Sequence, residues 1–193
     1  MLQQTLKNFF GYDQFREGQE AVISSIVSGH SSAAIFPTGS GKSLCYQVSA
    51  LHLSDLTLVV SPLLALIQDQ LAFLQEKNIP AAKIDSSMSV DEVRSTMAKV
   101  RNGEIKILMI SVERLKNERF RRFIKEVPIS LLVIDEAHCI SEWGHNFRPD
   151  YLKLPQYQQE LNIKQALLLT ATATPAVIND MQSKFAIAPN DIV

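Results

Sequence analysis

Two short stretches carry residue types suited to phosphate chemistry. The first, PTGSGKS, sets Thr38, Gly39, Ser40, Gly41, Lys42 and Ser43 after an apolar run and ahead of a helical pattern. Glycines let backbone N–H groups turn inward around phosphate oxygens, and a helix N-terminus adds partial positive charge. Lys42 would neutralise the β- and γ-phosphates of a triphosphate, and the Ser43 hydroxyl would take a place on Mg²⁺. The strict pattern for such a loop asks for glycine at position 36, where this chain has Phe36. The second stretch, LLVIDEAH, puts Asp135 at the tip of an apolar run and Glu136 beside it. A carboxylate there suits the ion held by Ser43, and its neighbour suits orienting and polarising an attacking water. Read alone, the acid pair equally suits a helix cap. Together with the loop, it points to hydrolysis of a nucleoside triphosphate.

Directly after the acids comes CISEWGHNFRPDY, which holds the single Trp of the chain. Trp143 and Phe147 offer π-faces on which unpaired bases stack, worth ~1–3 kcal/mol per base. Arg148 adds attraction for phosphate. The competing reading packs both rings into the core, but Gly144 and Pro149 favour an exposed loop. His138 is placed to hydrogen-bond toward Thr170–Thr172 and to pass on the state of the site. Near the N-terminus, Tyr12 and Arg16 suit the two sides of an adenine ring and Gln19 suits bidentate pairing to its N6 and N7, although an aromatic and a Gln there, read alone, more often belong to core and surface. The basic run Arg114–Lys125, interleaved with Phe120 and Phe123, fits DNA phosphates or a solvated amphipathic helix equally well. His138, Cys139 and His145 match no common zinc spacing, and Ser141 with His145 lacks the nucleophile elbow of a hydrolase.

The elements that must position these residues are legible in the apolar runs. Ser32–Phe36, Leu56–Ser61, Ala81–Ile84, Ile105–Ile110, Leu131–Asp135 and Ala166–Thr170 are apolar without alternation. That is the pattern of strands covered on both faces. Between them lie helix signals. Ser89 with Glu92 makes a capping box ahead of a helix to about Asn102, with Gly103 beyond it. Thr174 with Pro175 opens a helix carrying Ile178, Met181 and Phe185. Leu63–Lys77 places Leu63, Leu66, Ile67, Leu71 and Leu74 on one face. Strands alternating with helices predict an α/β fold with a mostly parallel central sheet and helices on both faces. Ligands of such sheets lie at the carboxyl ends of the strands.

The totals set bounds. At 193 residues, 46% hydrophobic and 20% charged, the chain suits one globular domain with a full core. A formal net charge of −1 gives no global attraction for nucleic acid, so any such binding needs a local patch. Cys45 and Cys139 read as reduced small hydrophobes. MLQQTLKNFFGYDQ is not a signal peptide, no run approaches a membrane span, and a soluble intracellular protein is expected.

PTGSGKS, DEAH and LTATAT, in that order, resemble the first motor domain of superfamily-two helicases, whose phosphate loops open without the leading glycine. FGYDQFREGQ resembles the adenine-recognition motif of the RecQ family, here the segment 8–20. DEAHCISEWGHNFRPDY resembles that family's acidic motif and aromatic-rich loop. VVSPLLALIQDQ and ISVERL match the positions of DNA-contacting motifs, which adds Ser61, Pro62, Gln68 and Arg114 to the DNA side. Trp143, His145, Phe147, Arg148, Thr170 and Thr172 serve binding or coupling. The resemblance implies a RecA-like ATP-binding domain over residues 1–193 of a 3′-to-5′ DNA helicase of recombination and repair, using ATP and Mg²⁺. Lys42, Asp135, Glu136 and His138 would be its catalytic set. Single-stranded and duplex DNA and a second RecA-like domain of the same parent chain would be its partners. The setting would be the cytoplasm, or the nucleus in a eukaryote. Nothing in the chain resembles the second motor domain or the family's zinc-binding and winged-helix parts, so very slow hydrolysis and no unwinding are expected of these residues alone. A DEAD/DEAH-type RNA helicase and a P-loop nucleotide switch stay open as alternatives.

Overall fold

Each apolar run is a strand in the computed structural model, which describes residues 1–193. They are β1 (Ser32–Ile35), β2 (Leu56–Ser61), β3 (Ala81–Ile84), β4 (Ile107–Ser111), β5 (Ile129–Ile134) and β6 (Ala166–Thr170). All pair in parallel, in the order β1-β6-β5-β2-β4-β3. The helices are α1 (Leu2–Thr5), which runs on as a π-helical turn (Leu6–Phe10), α2 (Gln19–Val27), α3 (Lys42–His52) and α4 (Leu64–Glu76). They continue with α5 (Val90–Arg101), α6 (Glu118–Lys125), α7 (Leu154–Glu160) and α8 (Pro175–Phe185). None is long and apolar enough to cross a membrane.

The two-faced burial explains the unbroken apolar runs. Along β5, Leu132 and Ile134 pack with α5 to α8 on one face, while Leu131 and Val133 pack with α2 to α4 on the other. Successive side chains of a strand point to opposite faces, so both faces must be apolar once both carry helices. All four of these residues are at most 1% exposed. Truncating one to Ala would cost about 2–5 kcal/mol.

The helix starts follow local chemistry. Ser89 Oγ accepts from the Glu92 N–H and the Glu92 carboxylate accepts from the Ser89 N–H, the reciprocal cap expected for α5. Thr174 caps α8 by accepting from the Val177 N–H, with Pro175 in the first turn. Expectation and structure part at several places, and β1 ends at Ile35 rather than Phe36. The β4 ladder opens at Ile107 rather than Ile105. The β5 ladder runs Ile129–Ile134 rather than to Asp135, because Glu136 turns the chain into the left-handed region at φ 53°. Leu63 is exposed rather than buried, since it is the extended residue before α4 and does not share the helical phase that buries Ile67, Leu71 and Leu74.

The order of strands decides the site. β6 lies between β1, which feeds the phosphate loop, and β5, which feeds the acidic turn. Parallel pairing brings all three carboxyl ends to one edge, where Ile35 pairs with Thr170 and Ile134 with Leu168.

Candidate functional site

The phosphate loop leaves β1 at Phe36 and closes at Lys42, the first residue of α3. Gly39 and Gly41 take φ of 83° and 77°, a region that glycine occupies freely and other residues do not. A Cβ at Gly41 would lie 2.5 Å from the Gln19 amide nitrogen, so a side chain there would displace the amide that straps the loop. Lys42 Nζ donates to the Phe36 carbonyl at 3.2 Å, folding the lysine back across the loop.

The N-terminal segment straps this loop. Arg16 donates to the Gly39 carbonyl at 2.6 Å. The Gln19 amide accepts from the Arg16 N–H at 2.7 Å and donates to the Gly41 carbonyl at 3.0 Å, at 2% exposure. Beside it opens a cleft of about 560 Å³, walled by Tyr12, Arg16 and Gln19 on one side and Gly41, Lys42 and Ser43 on the other. Gln47, Asp69, Gln70 and Phe73 complete it. Spacing alone did not single out those four. The hydrogen bond from Tyr46 to Gln70 ties α3 to α4 at its back.

At the acidic turn, Asp135 is 8% exposed and its N–H still donates to Val60 at 2.9 Å. Burial, and next the charge of Glu136, push its carboxyl up to about 6, opposed by the Glu136 N–H and by Lys42. No basic side chain forms an ion pair with it. A buried carboxylate without a paired cation is relieved when a cation binds, so this group fits a divalent ion supplied with a nucleotide. Tyr151, fully buried, donates its hydroxyl to the Asp135 carbonyl at 3.0 Å. It closes the FRPDY stretch, yet no sequence signal marks it as a support of the acid.

His138 and Thr170 meet as expected, at 2.9 Å. Thr170 Oγ1 uses its own proton on the Thr172 carbonyl at 3.0 Å, so it must accept from His138 Nδ1–H, which fixes the tautomer. Burial lowers the pKa of His138, with Glu136 opposing and His145 adding to the shift, so the ring is neutral near pH 7. The Thr170 carbonyl accepts from the Phe36 N–H at 3.1 Å. One residue therefore touches the phosphate loop through its backbone and the acidic turn through its side chain. The His145 ring stacks on His138 at 4.6 Å and 7° between planes, which continues the chain of contacts into the aromatic loop.

That loop is exposed. Trp143 is 74% exposed and does not pack into the core, while Phe147 and Arg148 are half-buried. Gln68 is exposed, and Pro62 and Arg114 are half-buried. Ser61 corrects an expectation. It is 1% exposed at the end of β2, with an unpartnered Oγ, so its side chain is not on a surface that a strand could follow. The Arg114–Lys125 run resolves into a short 3₁₀ turn and α6, whose Phe120 and Phe123 are core while Arg119 and Arg122 face solvent. Cys45 and Cys139 are free and buried, their thiols pushed up to about 12 and about 11 by burial.

The sequence pattern of DEAD/DEAH box helicases matches residues 16–181. The chain belongs to that family. Among curated helicases it is 45% identical to the probable ATP-dependent DNA helicase RecS of Bacillus subtilis, over 94% of this chain and 36% of the relative. It is 42% identical to the ATP-dependent DNA helicase RecQ of the same organism, over 93% of this chain and 31% of that one. The chain thus spans about a third of the length of these relatives. A hypothetical ATP-dependent RNA helicase from Sulfolobus tokodaii shares the helicase fold with a TM-score of 0.70 at 22% identity, over 94% of this chain and 53% of that one. The Pyrococcus furiosus Hef helicase domain does so with 0.72 at 20%, over 93% and 37%. Membership implies ATP use, and the phosphate-loop cleft is where this chain has the groups for it.

Proposed function

We propose that residues 1–193 are the first motor domain of a RecQ-type, 3′-to-5′ ATP-dependent DNA helicase that acts in recombination and repair, in the cytoplasm or a eukaryotic nucleus. The observation that carries the reading is the path from Trp143 to the nucleotide cleft. An exposed ring sits two residues from His145, which stacks on His138, which bonds Thr170, whose backbone holds the start of the phosphate loop. The curated relatives at 42–45% identity are named as DNA helicases, which supports DNA as the track.

In this reading, Gly39, Gly41 and the first turn of α3 cradle the phosphates, with Thr38 and Ser40 completing the loop and Lys42 leaving the Phe36 carbonyl to meet the negative charge. Tyr12, Arg16 and Gln19 face the adenine. Ser43 and Asp135 would hold Mg²⁺, which supplies charge neutralisation on the phosphates when bound. Glu136 orients the attacking water, with its carboxylate 3.6 Å from His138 Nδ1. Bases stacked on Trp143 and Phe147, with Arg148 on the phosphates, bias this relay. Fuel use thereby follows occupancy of the track. A second RecA-like domain of the parent chain is the partner that closes the cleft.

The test is ATPase stimulation of the intact protein by single-stranded DNA and by single-stranded RNA of the same sequence. Strong stimulation by DNA is expected; preference for RNA would replace this reading with that of an RNA helicase.

A further inference from the structure

Trp143 is 74% exposed, so its direction depends largely on its backbone. The backbone at this point is held by the Ser141 hydroxyl and by the Gly144 N–H, which donates to the Ser141 carbonyl at 3.2 Å. Ser141, fully buried at the start of the loop, accepts from the Trp143 N–H at 3.2 Å and donates its own proton to the Asp180 carboxylate at 2.6 Å. A short hydrogen bond to an ionised oxygen is roughly twice as strong as a neutral one. It joins the loop to α8, a helix 39 positions away in sequence.

A second contact seats the loop on the same helix. A Cβ at Gly144 would stand 2.8 Å from the His138 carbonyl and 3.4 Å from a Val177 methyl, so the bare backbone lies against both. Val177 and Asp180 are three apart and therefore share one face of α8. That helix starts at Thr174, just past the Thr170–Thr172 turn that takes the His138 bond. Turn, loop and helix thus form one closed ring of contacts, which the Ser141–Asp180 bond closes.

We infer that Asp180 is a positioning residue for DNA-dependent ATP hydrolysis: through Ser141 it sets the backbone that presents Trp143 to the nucleic-acid strand. The inference rests on the aromatic-loop reading above. Neither Asp180 nor Ser141 lines the nucleotide cleft. Loss of their bond should therefore leave basal hydrolysis and the KM for ATP unchanged and strike the stimulated kcat.

The experiment uses the intact protein for kinetics and the 193-residue chain for spectroscopy, where Trp143 is the sole tryptophan. Asp180→Ala should cut single-stranded DNA stimulation by about tenfold. Asp180→Asn keeps an oxygen acceptor for the Ser141 hydroxyl and should restore most of it. Ser141→Ala, sterically mild, should match Asp180→Ala, and the double variant should add nothing. Trp143 fluorescence anisotropy should fall in Asp180→Ala and Ser141→Ala but hold in Asp180→Asn. Full stimulation and unchanged anisotropy in Ser141→Ala overturn the inference, whatever Asp180→Ala does to folding. Trp143→Ala, run alongside, separates the failures. If it loses stimulation while Ser141→Ala keeps it, only the role of Asp180 falls; if it too keeps stimulation, the aromatic-loop reading falls.

Discussion

The phosphate loop and the acidic turn sit on one edge of the sheet with β6 between them, yet they are held in opposite ways. The loop is strapped from outside. Its carbonyls at Gly39 and Gly41 accept from Arg16 and Gln19, in a segment that precedes the sheet, and the Arg16 bond is exposed to solvent. The turn is held from inside. Asp135 has its N–H on Val60 and its carbonyl on the buried Tyr151, and His138 is locked to the buried Thr170. The first arrangement leaves room to adjust around a ligand at little cost to the core. The second keeps two carboxylates in place even though one is buried and its neighbour has a left-handed backbone.

The difference can be broken at either end, and the largest expected effect is on the inner side. Glu136→Gln should lower turnover in the intact protein by roughly 10²–10⁴-fold while leaving ATP affinity within a few-fold. Turnover that survives would favour a nucleotide switch. Tyr151→Phe keeps the ring but strands the Asp135 carbonyl, and should cost about 1–3 kcal/mol in a denaturant titration. An unchanged midpoint would show that the turn does not lean on this bond.

Acidity sharpens the same contrast. Asp135 stands at about 6 against an ordinary 3.8. The folded chain therefore holds a proton that the unfolded chain has released between those values, and folding stability contributed here falls as pH rises through about 6. The chain without ligand should be more stable near pH 5 than near pH 7, by roughly 1 kcal/mol from this group. Asp135→Asn should flatten that part of the profile; an unchanged profile would assign the slope elsewhere. The smallest effect belongs to the outer strap. Arg16→Ala should shift stability by no more than about 0.5 kcal/mol, as solvent-facing changes do. It should still raise the KM for ATP several-fold, and an unaltered KM would remove Arg16 from the nucleotide site.

Much of this was written in local pattern. The apolar runs marked six strands because both faces of each are buried, and Ser89–Glu92 and Thr174–Pro175 marked two helix starts by chemistry confined to one turn. The His138–Thr170 bond was legible because Thr170 ends the β6 run and His138 follows shortly after the end of β5. The supports were not legible. Tyr151 under Asp135, Ser141 against Asp180 and Gln19 under Gly41 join positions far apart in the chain, and only the order of the strands brings them together. Ser61 was misplaced for a related reason: its burial at the end of β2 is set by the strands on either side, which only the sheet order supplies.

The most direct measurement is calorimetric titration of the 193-residue chain with ATP and magnesium, beside its Lys42→Ala variant. Saturable binding of one nucleotide, lost in the variant, is the predicted result. A well-folded chain that takes up no ATP at millimolar concentration would contradict the account at its root.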